Sequence, residues 1–249
     1  MRVRIVVPSG VEGPGGLACN QRRAVAALFA TRPRLVSRCR VHDGVASETR
    51  LSAAAYHALL GKGLVVPNPY ATPCRFRRAA HDSGPRQASS IRQIVVHSTE
   101  GGTAASVAAF FATTARASTQ LIVDDEECWR TLPDLVIPWG APGVNATGLH
   151  IEHCGFAHWS REEWFEHDEE LRRSAWKAAT WCLQYEIQRR WLTVEQVRRR
   201  ANGFCRHMDA TVAFENPGGH TDPGRDFPRD RYMRWVKAYY AEMEGERTL

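Results

Sequence analysis

Apolar and polar positions divide the chain into two patterned regions separated by an unpatterned one. Near the start, "VRIVV" at 3–7 reads as a short strand, and "LACNQRRAVAALFA", about 18–31, has helical composition. "RLVSRCRV" alternates as a strand does, and "ETRLSAAAYHALLGKG" reads as a helix stopped by glycine and followed by "LVV". These elements predict a small α/β domain over 1–68. Residues 69–90 are rich in Pro, Ser, Gly and Arg, which predicts a linker.

The second patterned region, 91–245, opens with the buried strand "IRQIVV", with His97 at its end. A helix is expected over Ala104–Arg116, then a hairpin across "STQLIVDDEECWRTL" with an acidic turn. An apolar strand follows over Leu149–Cys154, and a long helix over Asp168–Trp191. That helix would bury Leu171, Ala175, Ala178, Ala179, Cys182, Leu183 and Ile187. Thr193 is placed to cap a further helix and Gly203 to stop it, and "FPRDRYMRWVKAYYAEM" makes the terminal helix. Strands interleaved with helices predict an α/β fold, with a central mixed sheet flanked by helices.

Composition narrows the class. With 249 residues, 43% hydrophobic and 24% charged, the chain can bury a proper core. No apolar run approaches the ~20 residues that span a bilayer, so no membrane insertion is expected. "MRVRIVVPSG" lacks the apolar stretch of a signal peptide, which predicts synthesis in a cytoplasm without an export address. The seven cysteines are scattered and form no CxxC pair, which argues against a disulfide framework and a cysteine zinc cluster. Residues 1–80 hold thirteen basic side chains against three acidic ones, in a chain of net charge +6. A basic module of this kind suits a polyanion such as an anionic cell wall or a nucleic acid, and equally a solvated surface. No phosphate-binding glycine loop or aromatic stacking array supports nucleic acid.

Candidate chemistry collects in the second region. "GFCRHMDATVAFENPGGHTDPG", 203–224, holds His207 and His220 with the possible carboxylate ligands Asp209, Glu215 and Asp222. Pro223 and Gly224 turn the chain after Asp222 and so fix its carboxylate's direction. His97 ends its strand before the small Ser98 and Thr99, where its ring can face a cleft. Glu152 lies opposite Ile151 by strand alternation, on the cleft side, where a buried carboxylate suits a general base. His150 and His153 are expected opposite Glu152 with no role of their own.

Taken in order, "IVVHST", "GLHIEHCGF", "RHMDATVAF" and "GGHTDPG" resemble the zinc-dependent N-acetylmuramoyl-L-alanine amidase family, which shares its fold with peptidoglycan recognition proteins. The likeness covers roughly Ile91 to Met243, and it looks closest to endolysins of phages that infect actinobacteria. It implies one zinc ion held by His97, His207 and Asp222. It makes Glu152 the residue that activates water, and it places His220 where many members carry an oxyanion-stabilising lysine. A second assignment stays open, with His220 as the ligand and His207 structural. Asp209 is then a partner of a histidine or a loop cap. Trp139 and Asn145 match the family's substrate wall, with core packing the alternative for Trp139; Gly140 stands there in place of a histidine, and Thr119 and Gln120 depart from the usual residues.

The resemblance implies hydrolysis of the amide between N-acetylmuramic acid and L-alanine, with peptidoglycan as partner and a monomeric enzyme. It also implies host lysis after release through a separate pore-forming protein. A non-catalytic peptidoglycan-binding protein and a bacterial cell-wall recycling amidase are the alternatives.

Overall fold

The computed structural model describes residues 2–6, 40–42, 45–50 and 69–247, apart from 114 and 217. The chain forms two compact units, one of residues 1–71 with 241–249, the other of residues 72–240. In the first, β1 (Arg2–Val6), β2 (Arg40–His42) and β3 (Val45–Arg50) make an antiparallel sheet of order β1-β3-β2. The first strand stands where "VRIVV" places it. The helix expected over about 18–31 lies outside the described residues. So does most of the next one, whose expected first residues, Glu48 to Arg50, belong instead to β3.

The second unit is built on a six-stranded sheet of order β4-β7-β6-β8-β5-β9. Its strands are β4 (Arg75–Phe76), β5 (Gln93–Ser98), β6 (Leu121–Val123), β7 (Cys128–Arg130), β8 (Gly148–His153) and β9 (Gly203–Arg206). Only β6 and β7, the expected hairpin, run antiparallel; the other neighbours are parallel, so the sheet is mixed as the pattern predicts. β5 and β8 are buried along their whole length, as central parallel strands covered on both faces must be.

Among the described residues the α-helices are α1 (Ala104–Phe111), α2 (Arg161–Glu166), α3 (Asp168–Gln184), α4 (Val194–Arg198), α5 (His207–Phe214) and α6 (Arg229–Arg247). On one face, Ala104, Ala108 and Phe111 of α1 pack with Ile122 of β6. On the same face, Val197 of α4 and Ala210 and Ala213 of α5 pack with Val95 of β5 and Cys205 of β9. Side chains at the carboxyl ends of β5 and β8, among them His97, Ser98 and Glu152, line a cleft. α3 lies against β6 and β8.

Local chemistry explains the helix limits. Thr103 caps α1 in a reciprocal box with Ser106, and Thr193 does the same for α4 with Gln196. α1 ends at Phe111 rather than Arg116, because the chain turns to bury Ala115 in the cluster beneath it. α3 stops at Gln184, short of Trp191, as Glu186 adopts a left-handed φ of 55° while Ile187 is still buried. Gly203 does not end α4, which closes at Arg198. It opens β9 with a φ of 152°, where a Cβ would sit 2.8 Å from the carbonyl oxygen of Arg190.

The expected linker is instead part of the second unit from Thr72 onward. β4 pairs with β7, Ala79 is buried, and the Arg86 guanidinium donates to the carbonyl oxygens of Asp134, Asn145 and Gly148. Burial lowers the Arg86 pKa to about 10. Its polar composition satisfies buried carbonyls rather than marking free chain. A disulfide joins Cys74 to Cys128, a pairing that the scattered cysteines argued against; Cys154, Cys182 and Cys205 are free. Scattered spacing carried no sign of the pair, because β4 and β7 meet only in the folded sheet. Replacing both Cys74 and Cys128 by alanine is expected to cost about 2–4 kcal/mol of unfolding free energy. Urea titration of wild type and variant, with and without reductant, measures it; reductant should move only the wild type.

Candidate active site

Strand register assembles the site. His97 pairs with Glu152 across β5 and β8, and Val96 pairs with Arg206 across β5 and β9. His97, Glu152 and His207 therefore emerge at one level, at the carboxyl ends of three adjacent parallel strands. That end of a parallel sheet is where such folds commonly bind ligands. Asp222 comes from the loop before α6, and its carbonyl accepts from the Met208 amide at 3.0 Å, tying the loop to the first turn of α5.

The three donors implied by the resemblance converge. His97 Nδ1 lies 3.2 Å from His207 Nδ1 and 3.2 Å from Asp222 Oδ2, and His207 Nδ1 lies 3.0 Å from Asp222 Oδ1. All three residues are buried. Donors on a tetrahedral zinc with bonds of about 2.0–2.1 Å stand about 3.3 Å apart, so the triangle fits that ion. Imidazole and carboxylate are also donors that zinc accepts.

Electrostatics agree with a neutral His97 imidazole facing an ionised Asp222 carboxylate, the state in which such groups bind a cation. Burial lowers the His97 pKa to about 4, and nearby His207 adds to this, against the opposing pull of Asp222. Burial alone would raise the Asp222 carboxyl, but hydrogen bonds and charge from His207 and His97 outweigh it and hold it below the usual range.

Glu152 Oε1 stands 3.9 Å from His97 Nδ1. Burial raises its pKa well above the ordinary value, with the charges of Asp222 and Glu100 acting in the same direction. Its Oε2 is buried without a hydrogen-bond partner. The cleft beside it is about 420 Å³ and is lined by Gly101, Gly102, Val107, Phe110, Gly140 and His220 among others. Phe110 is 56% exposed, a large apolar side chain on the cleft wall.

His220 reaches the site but in a different role from the three donors. Its ring stacks on His207 with centroids 4.1 Å apart, its Nδ1 is 3.6 Å from Asp222 Oδ1, and its side chain is half exposed. Burial, then His207, lowers its pKa. Asp209 accepts from the Arg206 amide and guanidinium at the start of α5, which makes it a cap and ion-pair partner of arginine.

Trp139 and Asn145 are not on the cleft lining. Trp139 stacks on His81 and donates to Ser83 Oγ, and Asn145 Oδ1 accepts from the amides of Gly140 and Ala141. Thr119 and Gln120 are fully buried; Gln120 bridges the Val136 carbonyl and the His150 amide. His153 lies opposite Glu152 as expected, its ring among Trp164, Phe227 and Tyr232 and its Nδ1 3.0 Å from the His97 carbonyl oxygen. His150 does not lie opposite. Two residues from Glu152, it shares that face, and its Nδ1 is 2.9 Å from His97 Nε2. The period of two applied to 150 and 152 gives this placement. Among the described residues Asp125, His167 and Glu170 also cluster. Asp125 is engaged there by His167 Nδ1 at 2.6 Å and the Glu170 amide at 2.9 Å, as a cap for the start of α3.

Fold and site together define an α/β enzyme whose parallel strand ends carry a donor set suited to one divalent cation, with a buried carboxyl beside it. The profile of the N-acetylmuramoyl-L-alanine amidase family matches residues 87–225, more than half of the chain, and the chain belongs to that family. It is a peptidoglycan amidase. None of the curated proteins matches it in sequence. Among solved structures, the Staphylococcus aureus hydrolase AmiA in complex with its ligand aligns with a TM-score of 0.53 at 15% identity, over 79% of this chain and 94% of that one. That likeness establishes the fold. A mutant endolysin from Bacillus subtilis aligns with a TM-score of 0.45 at 18% identity, over 66% of this chain and 99% of that one. The amidase LysC from Clostridium intestinale aligns with a TM-score of 0.44 at 15% identity, over 67% and 99%.

Gly224 has a φ of 88°, and a Cβ there would overlap the carbonyl oxygen of Ala157. Gly224→Ala is expected to cost about 3 kcal/mol and to displace Asp222 two residues away. Chemical denaturation measures the first effect and zinc uptake by the folded fraction the second.

Proposed function

We propose that this chain is a zinc-dependent N-acetylmuramoyl-L-alanine amidase that degrades bacterial cell wall as a phage endolysin. His97, His207 and Asp222 would hold a single zinc ion. Bound there, zinc would polarise the scissile carbonyl and acidify the attacking water. The observation that carries the reading is the convergence of those three side chains beside Glu152 in an open cleft.

Each of the chain's own groups then has a task. Glu152 takes a proton from the water as its oxygen bonds to the lactyl carbonyl carbon, and returns it to the nitrogen of L-alanine as the C–N bond breaks. The products are a free lactyl carboxyl and a free amine. Burial of Glu152 keeps bulk water from competing for that proton. His220, half exposed and stacked on His207, would donate a hydrogen bond to the developing oxyanion. Phe110 and the glycines at 101 and 102 form a wall with room for a bulky glycan–peptide. The resemblance of "HTDPG" followed by "FP" and an aromatic-rich helix supports the endolysin role, and the basic residues of 1–80 suit attachment to an anionic wall. The enzyme acts as a monomer on peptidoglycan, released to the wall through a separate pore. No helix among the described residues is long and apolar enough to cross a membrane.

Mass spectrometry of digested wall identifies the bond cut; new lactyl carboxyl and L-alanine amine ends are expected. Elemental analysis should give one zinc per chain, and metal-free protein that binds wall without cutting it would refute the assignment. Glu152→Gln is expected to lower kcat by about 10²–10⁴-fold while zinc uptake persists, read as amine release and metal content on the same preparation.

A further inference from the structure

The imidazole of His150 is fully buried, and no step above uses it. It occupies a slot made by two glycines. A Cβ on Gly140 would overlap His150 Nδ1, and a Cβ on Gly148 would stand 2.7 Å from His150 Nε2. Neither glycine has a left-handed backbone, so neither is required for its own conformation. At Gly140 every close neighbour of such a Cβ belongs to the ring, while at Gly148 it would also meet Val95 Cγ2 at 2.8 Å and the Val144 carbonyl oxygen at 3.0 Å. The slot aims one atom: His150 Nδ1 lies 2.9 Å from His97 Nε2, with the two rings inclined by only 24°.

A neutral imidazole carries one N–H, and the partner at one nitrogen decides which nitrogen keeps a lone pair. Ligation through His97 Nδ1 requires the proton on Nε2. His207 has no equivalent partner: its Nε2 is buried without a hydrogen bond, and its ring is steadied by stacking on His220.

We propose that His150, seated between Gly140 and Gly148, is a positioning residue that accepts the His97 Nε2–H and so presents the His97 Nδ1 lone pair to the metal. The inference rests on the reading of His97, His207 and Asp222 as zinc ligands. Gly140 and His150 form a matched pair, since the ring can sit there only if position 140 lacks a side chain.

Zinc affinity, measured by chelator competition on the full chain, tests this. His150→Leu fills the slot without an acceptor and is expected to weaken zinc binding about 10–100-fold. His150→Asn puts Oδ1 near the lost Nδ1 and is expected to stay within about fivefold of wild type. Gly140→Ala is expected to weaken zinc binding in the presence of His150 but not in a His150→Ala background. Imidazole ¹⁵N shifts of the zinc-loaded wild type, which need no variant, should show His97 protonated at Nε2. Unchanged affinity in a folded His150→Leu protein, or a His97 that keeps its proton on Nδ1, would overturn this inference alone. Failure of the wild type to take up zinc would overturn the metal reading as well.

Discussion

The register between β5 and its two parallel neighbours is the constraint on which the site depends. A one-residue slip would turn His97 to the opposite face, among the apolar side chains there, and leave Glu152 and His207 without it. Register is fixed because Val95 and Cys205 on one face and Ile94, Val96 and Ile151 on the other are all fully buried. Hydrophobic packing thus decides the positions of polar atoms to within the tolerance that a metal requires.

Those polar atoms are costly where they stand. Two imidazoles and two carboxyls are buried within one small volume, and desolvation opposes charge on His97, Glu152 and Asp222. The hydrogen bonds to Asp222 offset part of this. A divalent cation held there would offset more, because bonds to a shared positive charge would replace contacts between imidazole nitrogens. Glu152 sits at the margin, buried enough for a raised pKa yet open to the cleft, which is the position a proton-transfer group needs.

The second layer follows the same logic. His97 is oriented by His150, His207 by stacking, and Asp222 by the backbone tie to Met208 and the turn at Gly224. Each donor is held by a different physical means. Glycines matter here as absences of volume, at 140 and 148 for a ring and at 224 for a neighbouring carbonyl.

The sequence by itself determined the mixed α/β sheet of the second unit, the strands that carry His97 and Glu152, the hairpin with its acidic turn, and the cap at Thr193. Period-two alternation and capping act over a few residues, so they are legible without the fold. Motif order also brought His207, Asp222 and His220 into view. Only the tertiary structure decided that Cys74 meets Cys128, that Arg75–Phe76 adds an edge strand to the sheet, and that Trp139 stacks on His81 while Asn145 holds the Gly140 and Ala141 amides. It alone placed His150 against His97, because that contact joins positions 53 residues apart through a space left by glycines. Such pairings arise from strand order and complementary volume, and neither leaves a periodic trace along the chain.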